Sequence, residues 1–537
     1  MDNFFFNTLA YPATVMNGVL TGWLIFTAIV WGLYYVVKKY NWSEPGGIDG
    51  LGYIIFALVA GIYVSELYLY LTYSAYSDHV EPSIASISWI FTKGSPIYTG
   101  IDAPARYSFA YGPALFIING YVMKAFGDSI LTSKLGGVLA AIFAAVLAFI
   151  TYKKLSGTRA AVMATAIMLL IFLDFPVVTF WQRADSYIIL FVVLALYAST
   201  IANTTATLVV SAVCIGICAD LKIHAVIYLI PVVALLYVRF GFTWRIGGLA
   251  VAGLIVALLP FAAFENISLH NYIVWLKATA RHGLDLTLFI KNVNFIALKI
   301  TAAALVYFYS FKDMEKFRRY TPAVWAFLTA SLAVSVVASK PGAGVHHLLP
   351  LIPVLIFLFL IMSAPMGGSH SNRAAAMAVL IAFLTVSALA ALKTPIILYA
   401  GIKDRASASD IAKDLKGILA AYPSERIEMG YAGDESYALS FYRPLVVFHS
   451  NSYSLDAAAL MDNKLSGISM PNATISDISG CKIAVWLIPR GVGQPFSMNG
   501  YDRNSGGLFD AAFRDAFLRH YELASVTRYF DVWPCKR

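Results

Sequence analysis

Long apolar runs separated by short polar ones fill the first 400 residues of the chain. About 20 apolar residues are needed to cross ~30 Å of hydrocarbon. On that measure, spans are predicted near 14–36, 51–71, 131–152, 159–180, 186–202, 204–220, 225–238, 246–264, 287–310, 321–338, 347–363 and 374–393. Two apolar runs do not fit. Pro113 to Phe126 opens with proline at a helix-start position and is followed by Gly127, a typical stop. Its ~14 residues rise only ~21 Å, too short to span. Pro82 to Lys93 puts Ile84, Ile87, Ile90 and Phe91 on one helical face and Ser83, Ser86 and Ser88 off it. Both read as helices lying at the membrane interface, 82–93 and 113–126, within a large loop over 72–130. After about Gly401 the pattern changes. Helix-like 408–421, 455–465 and 507–520 alternate with strand-like Arg426–Tyr431, Leu445–His449, Lys482–Ile488 and Leu523–Phe530. The predicted fold is a polytopic α-helical membrane protein of about 12 transmembrane helices over 1–400, followed by a small α/β domain over 401–537.

Composition agrees: 59% of residues are hydrophobic and 13% charged, against about 25% charged in soluble proteins. Charge adds an orientation. The net +9 lies wholly in the membrane part, because the tail from Gly401 carries 15 basic and 15 acidic residues. With the spans above, Lys38-Lys39, Lys153-Lys154, Arg239 with Arg245, Lys312 to Arg319, and Arg373 all fall on one side, which should be cytoplasmic. The N-terminus, the 72–130 loop and the tail then fall outside, as in a multi-pass protein of a bacterial-type inner membrane. This charge placement suits membrane lipids and anionic ligands, not nucleic acid. The first apolar run lacks a basic leader and a small-residue cleavage site, so no cleavable signal peptide is expected. Cys214 and Cys218 fall in an apolar span and read as core residues. Cys481 and Cys535, in an extracytoplasmic tail, are free to pair as a disulfide. No spacing suggests a metal site.

The costly residues gather on the outer side. Tyr76-Ser77-Asp78-His79-Val80-Glu81-Pro82 places two carboxylates at the rim of a span, where charge is expensive. Glu81 has a structural use beside a helix start, which leaves Asp78 the less explained. Arg183 and Asp185 occupy a short turn, and Lys222 and His224 the break between two spans. Arg281 and His282 lie in one outer loop, Lys340, His346 and His347 in another. Such a face suits glycosyl transfer from a polyprenyl-phosphate sugar, whose reactive carbon sits at the interface. Its phosphate leaving group needs cations rather than a strong acid. Lys and Arg supply them, and a carboxylate can accept the proton of the attacking hydroxyl. A single base with no second nucleophile is enough for inversion.

In order and in common side, these residues resemble the GT-C class of polyprenyl-phosphate-sugar glycosyltransferases, which includes protein O-mannosyltransferases, lipid A aminoarabinose transferases and a mycobacterial phosphatidylinositol-mannoside mannosyltransferase. The resemblance is carried by Asp78 in the first large outer loop, Tyr111-Gly112-Pro113, Phe126-Gly127, Arg183-Ala184-Asp185 and the late Lys340, His346 and His347, over roughly residues 50–363. It implies Asp78 as the base, with Glu81 as the alternative. Arg183, Lys222, His224, Lys340, His346 and His347 would bind the donor phosphate. Asp185, Tyr111, Arg281 and His282 would bind substrate. No cofactor or metal is implied, and one sugar would pass to a lipid or glycan acceptor. The rivals are a polymerase or ligase using a diphosphate-linked glycan, a lipid or solute transporter, and a non-catalytic scaffold. A transporter would place its polar residues near mid-membrane on a path joining both faces.

Overall fold

A computed structural model describes residues 12–40, 45–175, 177–242, 244–365, 367, 369–500 and 506–536. The expectation for the first eleven residues lies outside these. Among the described residues, ten helices are long and apolar enough to cross a membrane. The chain is a multi-pass α-helical membrane protein with a C-terminal α/β region.

The helices of the membrane part are α1 (Pro12–Lys39), α2 (Pro45–Thr72), α3 (Glu81–Thr92), α4 (Pro113–Phe126), α5 (Ile130–Leu173), α6 (Ala184–Ser199), α7 (Thr204–Leu221), α8 (Ile230–Phe240), α9 (Trp244–Ala263), α10 (Leu269–Thr279), α11 (Leu286–Val306), α12 (Met314–Val337), α13 (Leu351–Met362) and α14 (His370–Ala391). Side-chain caps start many of them. Ser129, Asn203, Asp285, Asp313 and Ser369 each accept a first-turn backbone N–H. At 44 residues α5 is too long for one crossing, and Gly157 (φ 81°) breaks its helical geometry. The two halves match the predicted 131–152 and 159–180, except that the second ends at Leu173 and the described residues from 174 to 183 are not helical. The predicted 186–202 is the 16-residue α6. The predicted 225–238 is a 3-10 segment, Ile223–Leu229, running into α8.

The loops segregate to two ends of the bundle. At one end Gly112 N–H donates to Leu221 O, Asp285 N–H donates to Ser339 O, and Lys393 pairs with Asp174 at 2.8 Å. At the other, Lys154 donates to Thr200 O, Arg239 to Ser199 O, and Lys316 to Ser363 O. The first end also carries Asp78, and the second carries Gly157. Large apolar side chains such as Leu24, Phe143, Leu254 and Trp325 point outward, as a helix facing lipid requires.

The C-terminal region begins with α15 (Lys393–Ala421), which runs unbroken through the expected domain boundary at 400–401. It continues with β1 (Ile427–Met429), α16 (Arg443–Ser450), α17 (Ala457–Leu465), α18 (Asn472–Ser479), β2 (Val485–Pro489), α19 (Ala511–His520), β3 (Ser525–Val526) and β4 (Phe530–Pro534). The sheet order is β1-β2-β4-β3. β1 and β2 are parallel, and β4 lies antiparallel to both β2 and β3. Cys481 and Cys535 are joined. The apolar run Leu445–His449, predicted as a strand, is instead the body of α16. Pro444 sits at its helix start, and its apolar face packs on α3, where Phe448 meets the Trp89 ring at 5.5 Å.

That packing also changes α3. The sequence predicts a helix lying at the membrane interface, with its serines off the isoleucine face. Every residue from Glu81 to Phe91 is buried, including Ser83, Ser86 and Ser88. The C-terminal region covers the side of the helix that carries Ser83 and Trp89. Arg443 donates to Ser83 Oγ at 2.6 Å, and Asn451 accepts from the Trp89 indole at 2.9 Å. Its helical pattern was legible; what covers its polar face was not.

Candidate functional site

Two close backbone approaches assemble the site. At Gly137 on α5, a Cβ would stand 2.2 Å from the carbonyl oxygen of Trp181. Glycine therefore lets the 181–183 turn lie against α5. At Gly112, a Cβ would stand 1.9 Å from the carbonyl oxygen of Asp220. This brings Tyr111 against the end of α7, where Lys222 leaves the helix in an extended conformation. The helix ends there with its Leu221 carbonyl accepting the Gly112 N–H at 3.0 Å.

A chain of polar contacts results. Arg183, at the N-cap of α6, sets one guanidinium nitrogen 3.3 Å from Asp78 Oδ1. Another donates to the Tyr111 hydroxyl at 2.9 Å, and the group lies 4.2 Å from the Trp181 ring centre. Lys222 donates to Asp185 Oδ1 at 2.8 Å. The His346 and His347 rings lie 4.5 Å apart, with His224 5.7 Å from His347. The His347 backbone is fixed in turn by the Tyr228 hydroxyl, which donates to its carbonyl at 2.6 Å. Asp78, Tyr111, Arg183, Asp185, Lys222, His224, His346 and His347 thus come together from five separate stretches of chain.

The two carboxylates of the acidic loop face opposite ways. Asp78 Oδ1 also accepts the Val80 N–H at 2.8 Å, and Oδ2 lies 3.6 Å from His79. Burial alone would raise the Asp78 carboxyl. The Arg183 guanidinium, with His79 and the Val80 N–H, holds it below the usual carboxylate range. Glu81 turns inward, contrary to a catalytic reading. It accepts from the Tyr70 hydroxyl, from Ser77 N–H at 3.0 Å and from Gln182 N–H at 3.2 Å. Burial raises its carboxyl despite the nearby Lys134 ammonium. Glu81 ties the end of α2, the acidic loop and the 181–183 turn to one another, and so sets the spacing of Asp78 and Arg183.

Three expected residues stand apart. His282 Nε2 lies 3.0 Å from Asp462 O and 2.9 Å from Ser466 Oγ, so it docks onto the C-terminal region. Arg281 is exposed. The Lys340 side chain makes no hydrogen bond or ion pair among the described residues, though it acts electrostatically on both His224 and His282.

Residues with no legible signal complete the site. Lys134 donates to the carbonyls of Tyr70, Tyr73 and Ala75, closing the end of α2. Arg443 donates to His79 O at 2.9 Å and pairs with the buried Asp456 at 3.0 Å. The C-terminal region thereby grips the residue next to Asp78. Asp462, on α17, is within electrostatic reach of Arg183, and burial with the Asp456 charge pushes its carboxyl up to about 7. These contacts join residues hundreds of positions apart, and spacing along the chain carries no trace of them.

The property that marks this place is unspent hydrogen-bonding capacity. Side-chain polar atoms of Trp181, Gln182, Arg183, Asp185, His224, His346 and His347 are buried without a partner in the protein. Native proteins leave few such atoms, and each unmade bond costs about 1–3 kcal/mol. Their concentration here fits a site built to receive a polar ligand. The large cavity at the Gly157 end, about 650 Å³, is lined mainly by apolar residues such as Ile352 and Phe359 with Arg159 and Arg373. None of the residues gathered around Arg183 lines it.

No protein-family model and no curated protein matches the chain. Among solved structures, apo ArnT from Cupriavidus metallidurans is similar at a TM-score of 0.49 and 15% identity, covering 89% of this chain and 97% of that one. The same protein bound to undecaprenyl phosphate gives 0.48 and 14%, covering 91% and 98%. The archaeal oligosaccharyltransferase AglB from Archaeoglobus fulgidus, in complex with an inhibitory peptide and a dolichol-phosphate, gives 0.42 and 12%, covering 82% and 69%. These scores fall short of the level that establishes a shared fold, so the site is read from its own geometry.

Proposed function

We propose that the chain is an inverting glycosyltransferase that moves a single sugar from a polyprenyl-phosphate donor to a lipid or glycan acceptor at the periplasmic face of an inner membrane. The observation that carries this reading is the group of unpaired buried polar atoms beside two fixed cations, Arg183 and Lys222. A phosphate supplies the acceptors that Arg, Lys and imidazole N–H groups lack. The site lies at one end of the bundle, where the phosphate of a lipid with its tail in the bilayer would reach. The orientation is supported by basic clusters at the other end and by the Cys481–Cys535 disulfide, which suits an oxidising compartment.

In this mechanism the acceptor oxygen bonds to the anomeric carbon as the bond from that carbon to the phosphate oxygen breaks. Attack from the face opposite the phosphate inverts the centre. Asp78 takes the acceptor proton; held ionised by Arg183, it is ready as a base across the neutral range. Arg183 and Lys222 stabilise the charge gathering on the departing polyprenyl phosphate, and Lys340 adds a cation near His224. Glu81 positions.

The test is transfer by purified protein from synthetic polyprenyl-phosphate sugars to membrane lipid extract. Asp78→Asn should lose about 10²–10⁴-fold in rate. Equal rates would remove Asp78 as base. Transfer only from diphosphate-linked glycans would put a polymerase or ligase in its place. A reporter at the C-terminus should be extracytoplasmic; a cytoplasmic one would reverse the orientation.

A further inference from the structure

We infer that Asp185, His346 and His347 form a binding site for a borderline divalent transition metal of the Zn²⁺ type. Each offers one ligand atom, and these atoms lie within 4.8 Å of one another. Asp185 is 2% exposed and His347 8%, so two of the three are buried in the protein. The atoms available are free. Lys222 occupies Asp185 Oδ1, but among the described residues Oδ2 has no hydrogen-bond partner, nor have His347 Nδ1 and His346 Nε2. His224 Nε2 is unpartnered as well, beside His347.

Ligand chemistry selects the ion. Two imidazoles and one carboxylate suit Zn²⁺, Co²⁺ or Ni²⁺ better than Mg²⁺ or Ca²⁺, which prefer oxygen. Tetrahedral bonds of about 2.0–2.1 Å to nitrogen and oxygen would set the ligand atoms about 3.4 Å apart, about 1.4 Å inside the 4.8 Å within which they now lie. Three protein ligands leave a position open, the arrangement of sites that bind a substrate oxygen. Lys222 holds the carboxylate from behind, as outer partners of metal ligands do. The fixed charges nearby, Asp78, Asp185, Arg183 and Lys222, cancel. A divalent ion would therefore leave the site positive, matched to a phosphate. The ligands come from α6 and from the Val345–Leu348 turn, some 160 residues away, which is why no spacing motif announces them.

This inference rests on the proposed donor site only for what the open position would hold; the ion site stands without it. The experiment uses the full chain in detergent, with its affinity tag removed, stripped by chelator and titrated with Co²⁺. One Co²⁺ per chain is expected, with visible absorption bands of a low-coordinate site, displaced by Zn²⁺. Binding should be lost in His346→Ala/His347→Ala and in the near-isosteric Asp185→Asn, each checked for a wild-type size-exclusion profile. No stoichiometric Co²⁺ in the wild type would overturn the inference, as would bands that persist in both folded variants. Polyprenyl-phosphate binding and sugar transfer are measured in parallel. Co²⁺ bound without either leaves the metal site and removes the functional reading. Transfer by a stripped enzyme that takes up no Co²⁺ does the opposite.

Discussion

Asp78 and Glu81 stand three residues apart, the first half-buried and the second fully buried, and their surroundings are opposite in kind. Asp78 faces a cation, Arg183, and keeps its second oxygen beside His79. Glu81 is enclosed by donors from the Tyr70 hydroxyl and two backbone N–H groups. One carboxylate is held charged beside a cation, while the other is spent on holding three segments together. The difference teaches that burial and cost alone do not identify a reactive acid. What separates the two is whether the hydrogen-bonding capacity is already used.

The largest effect should come from Asp78. Asp78→Asn should lower transfer by about 10²–10⁴-fold, equivalent to about 3–5 kcal/mol, with little change in thermal stability. Its pH profile sharpens the point. The carboxyl is depressed below its ordinary range, near 3.9. The acid limb of the rate, where the base becomes protonated and activity is lost, should therefore lie below that value. Arg183→Met removes the group that depresses it, so the acid limb should move to higher pH, against the unmoved limb of a variant that only weakens donor binding.

Next is Arg443→Ala. It leaves Asp456 buried and unpaired and releases His79 O. Removing one partner of a buried pair costs about 3–5 kcal/mol, read as a lower unfolding temperature. Because the grip on His79 is lost too, the rate should fall even at temperatures where the protein stays folded. Glu81→Gln should be milder, about 1–3 kcal/mol of stability. An amide has one acceptor oxygen where the carboxylate has two, so one of the three donors would face its NH₂ group. If Glu81→Gln abolished transfer while leaving stability untouched, the assignment of the two acids would have to be exchanged.

Much of this was legible in the sequence. The apolar periods gave the spans, because a ~30 Å slab imposes length on any helix that crosses it. The gathering of Asp78, Arg183, Asp185, Lys222 and the histidines on one end followed from counting spans. Other parts were hidden for physical reasons. Helix α3 read as interfacial, since a sequence period reports which side is apolar but not what covers the rest. Leu445–His449 looked like a strand because β-branched residues favour one, and packing on α3 decided otherwise. Glu81's role and Lys134's depend on backbone groups that have no signature in residue type. Arg443 reaches His79 across 364 positions, and only the folded chain brings them together.

The smallest predicted effect is the most direct probe of the comparison. Tyr70→Phe deletes the hydroxyl that donates to Glu81 and accepts from Gln182 N–H at 3.1 Å, leaving the ring in place. Gln182 N–H keeps Glu81 as an acceptor, so the cost should be only about 1 kcal/mol. Coupling matters more than size. In a double-mutant cycle on stability, Tyr70→Phe and Glu81→Gln should be non-additive by about 0.5–3 kcal/mol, because they remove two ends of one bond. The cycle of Tyr70→Phe with Asp78→Asn should be additive within about 0.5 kcal/mol, since no hydrogen bond joins Tyr70 to Asp78. Strong coupling to Asp78 and none to Glu81 would mean that the α2 end braces the reactive acid directly, and Glu81 would lose its role as the staple between them.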